Sequence, residues 1–209
     1  MLALNSATWL AALQVAIASG DAQAIKLAQS RYNHKEIKDR LIEETSAKCA
    51  YCESKILHVS PGDIEHVQPK SADVTRTFQW DNLTLSCSSC NNNKRNHSGV
   101  VDPYNDVIGD HFQFLGPMMF PVSANTKAVF TERQLKLNRL RLVEQRMTRL
   151  SAVSTQIQLI VKTSDDDLKQ VLIEDLVEND CADDAEYSAF AKALVTSLLP
   201  AAISGVDDG

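Results

Sequence analysis

Two pairs of cysteines constrain this chain more than any other feature of its sequence. The pairs are Cys49 with Cys52 and Cys87 with Cys90. Each has the spacing Cys-x2-Cys, and residues 53–86 lie between the two pairs. Such a turn presents both thiolates to one ion, and two turns complete the tetrahedral shell of a structural Zn²⁺. Disulfides are disfavoured because no secretory signal is evident and Cys181 is left over. The sequence therefore predicts a structural zinc on these four cysteines and an inert, packed thiol at the fifth.

The residues between and just after the pairs include types that suit phosphodiester hydrolysis. This reaction needs a hard cation and a base with a pKa near neutrality. Glu65 and Asn91 offer oxygen ligands of the kind that Mg²⁺ prefers, and His66 offers an imidazole base. Neighbours on a strand point to opposite faces, so Glu65 and His66 can serve one site only if the strand bends or ends there. Asn82 can hydrogen-bond to the backbone or to the imidazole and so fix the orientation of His66.

Four short motifs follow one another between the first cysteine and Lys94. They are Cys-x2-Cys, Glu-His-Val-x-Pro, Trp-x-Asn-Leu and Cys-x2-Cys-Asn-x2-Lys. In this order they resemble the HNH endonucleases, which have a ββα-metal fold, over about residues 47–100. Two further phrases, at 49–55 and at 101–114, resemble the PtuB-type HNH proteins. Those proteins are the nuclease partners of an ABC-type ATPase in Septu antiphage defence and in related retron systems.

The resemblance implies a role for each motif residue. His66 is the expected general base, Glu65 and Asn91 are the expected ligands of a catalytic Mg²⁺ or Mn²⁺, and Asn82 is the expected orienting residue. Glutamate stands here where the family commonly has aspartate or histidine, and asparagine stands where it has the last histidine. The missing imidazole argues against a catalytic zinc, because softer transition ions favour nitrogen ligands.

The resemblance also implies an activity and a partner. The expected protein is a metal-dependent endonuclease that hydrolyses phosphodiester bonds of nucleic acid together with a PtuA-like, ABC-type ATPase subunit. The alternative is a non-catalytic, zinc-stabilised module that binds nucleic acid or tethers an ATPase.

Length and composition set bounds on the fold. With 209 residues, of which 44% are hydrophobic, the chain can bury one core and a small metal-held module. We expect a mostly helical α+β protein with a zinc-stabilised ββα core. The expected regions are N-terminal helices at 1–46, the nuclease core at 47–100, a wrapping loop segment at 101–130 and C-terminal helices at 131–209. Without a long apolar run or a targeting segment, we expect no membrane partner and a cytoplasmic protein.

Local signals predict several elements within these regions. Asp21 can cap a helix, residues 56–59 have the composition of a strand, and residues 128–130 could form an edge strand. Thr131 opens a capping box, after which apolar residues recur at spacings of three and four. This pattern predicts a single long helix over 132–163.

Two groups of basic residues are candidates for binding nucleic acid. Lys94 and Arg95 follow the second cysteine pair, where backbone donors at a helix start and two cations would suit a phosphate. The second group lies in the predicted long helix and includes Arg139 and Arg146. A basic run of this kind is usually a solvated face, and a phosphate-binding role is the alternative.

The charge reverses after this helix. Residues 164–209 carry twelve acidic and two basic side chains, whereas residues 1–163 carry nineteen basic and fifteen acidic ones. Acidic residues at a helix start have an ordinary explanation in the helix dipole. The asymmetry also suggests that the acidic region docks a basic partner or screens the path of the nucleic acid.

Overall fold

The computed structural model describes residues 2–199. Its described part belongs to two compact units. Unit 1 is built from the residues up to Tyr51 and from Lys55–Asp106, and unit 2 from Cys52–Ser54 and the residues from Val107 onward. The main division therefore falls after residue 106, within the region that the sequence analysis treats as a wrapping segment.

The N-terminal part of unit 1 is helical. It contains α1 (Leu2–Ser19), α2 (Ala22–Gln29), a 3-10 turn (Ser30–Tyr32) and α3 (Lys35–Glu44). The cap predicted at Asp21 is confirmed, because its carboxylate accepts from two backbone N–H groups at the start of α2. Satisfying these otherwise unpaired donors fixes where that helix begins.

The rest of unit 1 holds a ββα arrangement. Strand β1 (Asp63–His66) pairs antiparallel with β2 (Leu83–Ser86), and α4 (Ser88–Lys94) packs against β1. All of β2 is buried, because α3 also packs against it. Gly62 precedes β1 with a φ of +68°, and a Cβ there would lie 2.9 Å from a side-chain methyl carbon of Leu85. Glycine is thus required both by the backbone conformation and by the close approach of β2.

Two local predictions in unit 1 are wrong. Residues 56–59 form a turn and not a strand. None of them belongs to either two-stranded sheet of residues 2–199. Helix α4 begins at Ser88, with Cys87 as its N-cap, and Lys94 is its last residue. The basic pair at 94 and 95 therefore lies at the end of this helix and not at its start.

Unit 2 combines a hairpin with helices. Its elements are α5 (Ile108–His111), β3 (Phe112–Leu115), β4 (Met118–Pro121), α6 (Thr126–Leu135), α7 (Leu140–Lys162), α8 (Asp166–Asp175), a π-helical turn (Leu176–Asp180) and α9 (Ser188–Leu198). Strands β3 and β4 are antiparallel. A buried cluster joins α7, the π-helical turn and α9: Val153, Ile157, Ile160, Leu176, Cys181, Ala191 and Val195. Cys181 is thus a packed thiol, as predicted.

The prediction of one helix over 132–163 is wrong. Helix α6 ends at Leu135 because Lys136 adopts the left-handed conformation, with a φ of +53°, and α7 begins only at Leu140. The cap of α6 is Asn125, which accepts from a backbone N–H of the first turn. The predicted edge strand at 128–130 lies inside α6 and is also wrong. Among the helices of residues 2–199, none is long and apolar enough to cross a membrane.

Candidate active site and cysteine cluster

The four cysteines of the two Cys-x2-Cys pairs come together. Their sulfur atoms all lie within 4.8 Å of one another: Cys49, Cys52, Cys87 and Cys90. Zn–S bonds of about 2.3 Å in a tetrahedron place sulfurs roughly 3.8 Å apart, so this donor set fits a structural zinc. The backbone N–H of Cys90 also donates to the sulfur of Cys87 over 3.4 Å, a bond that stabilises a thiolate. The fold class predicted from the sequence, a helical protein with a zinc-stabilised ββα core, is confirmed.

One of the predicted nucleic-acid contacts lies beside Cys52. Nη2 of Arg139 is 3.9 Å from the sulfur of Cys52, and the hydroxyl of Ser54 is 3.3 Å from the same atom. A guanidinium at this position balances the negative charge of a thiolate. The geometry therefore gives Arg139 a local electrostatic role, and its predicted phosphate contact stays a prediction.

His66 is the last residue of β1, and both it and Glu65 lie within the paired part of the strand, so strand alternation places their side chains on opposite faces. Its Nε2 lies 3.0 Å from the carbonyl oxygen of Thr77. A carbonyl only accepts, so Nε2 carries the hydrogen and Nδ1 of the neutral ring is an acceptor. Burial is the main cause that lowers the pKa of His66 to about 4. The imidazole is therefore neutral at physiological pH, and burial makes it a weaker base than the near-neutral one that the sequence predicts.

Asn82 acts on the backbone that surrounds His66. Its side chain accepts from the N–H of Gln68 over 2.7 Å and donates to the carbonyls of Gln68 and Arg76, each over 3.0 Å. Arg76 directly precedes Thr77, whose carbonyl binds the imidazole. Of the two possibilities raised by the sequence, these hydrogen bonds are to the backbone, and one of them is to the residue next to Thr77.

Lys94 is enclosed in the site. Its ammonium donates to Oε1 of Glu65 and to the carbonyl of His66, each over 2.7 Å, and the residue is 0% exposed. Burial raises the pKa of Glu65, and the charge of Lys94 opposes that rise. The predicted phosphate contact of Lys94 does not fit this position, because water and substrate cannot reach the ammonium. Lys94 instead joins the end of α4 to β1.

Asn91 faces the first residue of β1. Its Nδ2 donates to Oδ2 of Asp63 over 3.0 Å, which directs the amide oxygen away from that carboxylate. Asp63 and Glu65 alternate along β1 and so share the face on which α4 packs. This face gathers two carboxylates and an amide, which are the hard oxygen donors that suit Mg²⁺ or Mn²⁺. The residues present therefore fit the expected catalytic metal, with Asp63 as an addition that the sequence analysis did not identify.

The remaining two predicted nucleic-acid residues differ in accessibility. Arg95 is exposed at the end of α4. Arg146 is 0% exposed, donates to the carbonyl of Leu137 over 2.8 Å and lies 4.1 Å from the ring centre of Phe190. Burial is the main cause that lowers its pKa to about 10. The predicted phosphate contact does not fit Arg146, which packs inside unit 2, whereas that of Arg95 stays a prediction.

Two residues near His66 are not among the site residues predicted from the sequence. The ring of Tyr32 meets the imidazole edge-on, with 4.5 Å between the ring centres, and its hydroxyl accepts from Lys70 over 3.1 Å. Lys70 follows the Glu-His motif by a few residues, so its position in the sequence is a usable signal. Tyr32 lies more than thirty positions upstream, and its place here depends on tertiary packing alone.

Comparison with known proteins agrees with this geometry. Residues 49–97 match the family model described as HNH endonuclease, a stretch that contains all four clustered cysteines, β1, β2 and α4. This stretch is therefore similar to an HNH endonuclease domain. Its arrangement around the site is the ββα core that the four motifs predict.

Two proteins similar to this chain share one name. The chain is 32% identical over 117 residues to Septu protein PtuB of Bacillus thuringiensis, which covers 53% of this chain and 45% of that protein. It is also 32% identical over 88 residues to Septu protein PtuB of Bacillus mycoides (strain KBAB4), covering 35% and 30% of the two chains. The chain thus spans less than half the length of each of these relatives. The predicted resemblance to HNH proteins of the PtuB type is confirmed.

Proposed function

We propose that this protein is a metal-dependent endonuclease that hydrolyses phosphodiester bonds of nucleic acid. The observation that carries the proposal is the bond between Nε2 of His66 and the carbonyl of Thr77. It leaves Nδ1 as the proton acceptor of a neutral imidazole, next in the chain to the carboxylate of Glu65. A pure binding module has no need for this pair.

Each motif residue has a part in the proposed reaction. Glu65 and Asn91 would hold Mg²⁺ or Mn²⁺, which would supply positive charge to stabilise the negative charge of the reacting phosphate. His66 takes a proton from water as the water oxygen bonds to phosphorus and the bridging P–O bond breaks, and the leaving oxygen takes up a proton from solvent. The resulting imidazolium keeps its bond to Thr77, which stabilises the added charge. Asn82 maintains this geometry through the backbone at 76 and 77.

We further propose that the protein is the nuclease subunit of an antiphage defence complex with a PtuA-like, ABC-type ATPase. The similarity to Septu protein PtuB supports this role. Co-purification of the chain with an ATPase encoded beside it tests the association. Absence of a complex under native conditions would contradict it.

Cleavage by a His66→Ala variant is the decisive test of catalysis. Labelled duplex DNA, single-stranded DNA and structured RNA are incubated with Mg²⁺ or Mn²⁺, with and without the neighbouring ATPase. We expect wild type to cleave and His66→Ala to lose at least about a hundredfold in rate, the usual contribution of a general base. His58→Ala, at an exposed histidine outside the site, is the matched control and should cleave normally. Equal cleavage by His66→Ala with unchanged zinc content would overturn the assignment.

One observation favours a second candidate, a non-catalytic zinc-stabilised module. His66 and Glu65 are 5% and 7% exposed, and the carboxylate is already paired with Lys94. These contacts would also suit residues that only hold β1 to its neighbours. The same experiment separates the two functions, because a binding module retains nucleic acid or the ATPase without cleaving under any condition.

A further inference from the structure

Because Lys94 is enclosed, it cannot supply a positive charge that contacts a bound substrate. Lys70 is another cation near His66. Lys70 is partly exposed and lies on the segment that leaves β1 after His66. Its ammonium donates to the hydroxyl of Tyr32 over 3.1 Å and lies 4.5 Å from the centre of that ring. Tyr32 in turn meets the imidazole of His66 edge-on. The three side chains therefore form one contiguous group.

The charge of Lys70 reaches both motif residues. Burial lowers the pKa of His66 and raises that of Glu65, and the positive charge of Lys70 adds a smaller lowering effect on each. An ammonium has three N–H donors, so the bond to Tyr32 does not exhaust it. Lys70 thus combines proximity to the proposed base with a donor that solvent can reach.

We propose that Lys70 binds the backbone phosphate of the nucleic acid next to His66, and that Tyr32 is the positioning residue that holds its ammonium. This proposal rests on the proposed function, since it takes the nuclease site as the place where the substrate binds. Contacts to phosphate carry no sequence information, so this element serves any nucleotide sequence. It also gives the N-terminal helical region a direct part in the site.

The test measures binding without cleavage. Fluorescently labelled nucleic acid is titrated with His66→Ala protein, in complex with the ATPase if one associates, at several salt concentrations. Adding Lys70→Met should weaken binding and reduce the slope of log affinity against log salt by about 0.9 on duplex DNA, or about 0.7 on a single strand. The loss of affinity between 50 and 200 mM salt then becomes roughly 3.5-fold smaller on duplex DNA.

Three further variants make the result specific. Lys70→Arg should restore the slope. Tyr32→Phe should reduce affinity less than Lys70→Met does. Lys26→Met, at an exposed lysine of α2, should change neither the affinity nor the slope. An unchanged slope in Lys70→Met, or no binding by the parent in any condition, overturns the proposal. If the wild type binds with the expected salt dependence but never cleaves, the proposed catalysis is contradicted and the phosphate contact is still supported.

Discussion

Lys94 carries its charge where water cannot solvate it. Removing a charge from water is costly unless close, well-directed partners replace the solvent. The carboxylate of Glu65 and the carbonyl of His66 supply such partners at 2.7 Å. The ion pair therefore fixes the two motif residues relative to the end of α4. Disrupting it should lower the free energy of unfolding, and any effect on catalysis would follow from that loss of stability.

Substituting Lys94 by Met should lower the free energy of unfolding by about 3–5 kcal/mol, because it leaves the carboxylate of Glu65 buried and unpaired. Urea denaturation followed by circular dichroism measures the effect. The double variant Lys94→Met, Glu65→Leu should recover much of the loss, since an apolar pair leaves no buried charge. Lys26→Met should stay within about 0.5 kcal/mol of wild type. A loss below about 1 kcal/mol for Lys94→Met would contradict the buried-pair account.

At the scale of single residues, the sequence predicts what is local and misses what is tertiary. The cysteine spacing is local, and the four sulfur atoms come together as it predicts. Burial is not local: nothing in a basic sequence context distinguishes the enclosed Lys94 from the exposed Arg95. Tyr32 escapes prediction for the same reason, because its position beside His66 results from the packing of a distant turn.

The break between α6 and α7 is the clearest case at the scale of elements. The apolar spacing runs on through it, since Leu135 before the break and Leu142 after it are both buried and stand at the i, i+7 spacing of a helix face. Periodicity reports which side chains face the core and does not report the backbone conformation between them. The backbone breaks at a single residue in the left-handed conformation, Lys136. A glycine at this position would have predicted the helix end, but a lysine does not.

Replacing Lys136 by Gly should therefore stabilise the protein. A residue with a Cβ costs roughly 1 kcal/mol in the left-handed region, and glycine avoids that cost. The flexibility that glycine adds to the unfolded chain offsets part of the gain. We expect a net increase of about 0.5 kcal/mol in the free energy of unfolding, measured with urea. Lys136→Ala removes the same exposed side chain but keeps the Cβ, so it should give no increase. A loss of stability in Lys136→Gly would show that the lysine side chain itself holds the break.

At the scale of the whole chain, the region that differs most in charge is not separate from the rest in its packing. The acidic region from 164 onward supplies part of the core of unit 2, because Leu176, Ala191 and Val195 are fully buried there. Its described part is therefore a folded component and not a loose tail. Deleting it would expose the apolar face of α7, so a deletion cannot separate the electrostatic role of this region from its structural one.

Neutralising exposed acids isolates the electrostatic role. Glu174, Glu178 and Asp184 are exposed, and changing them to Gln, Gln and Asn moves the formal net charge from −6 by three units while sparing the buried cluster. If the acidic region screens the path of the nucleic acid, affinity in the His66→Ala background should rise on the order of twofold at 50 mM salt. The gain should vanish near 1 M salt, where the Debye length is only about 3 Å.

The matched control for this variant keeps the charge and changes only the side-chain length. It carries Glu174→Asp, Glu178→Asp and Asp184→Glu, and its affinity should equal that of the parent at every salt concentration. Fluorescence anisotropy with the same labelled nucleic acid measures both proteins. Equal affinity of the neutralised variant at 50 mM salt would show that the acidic region is not a screen. Its charge would then have to act on a basic protein surface, and weaker capture of the associated ATPase by the neutralised variant than by the control would demonstrate that role.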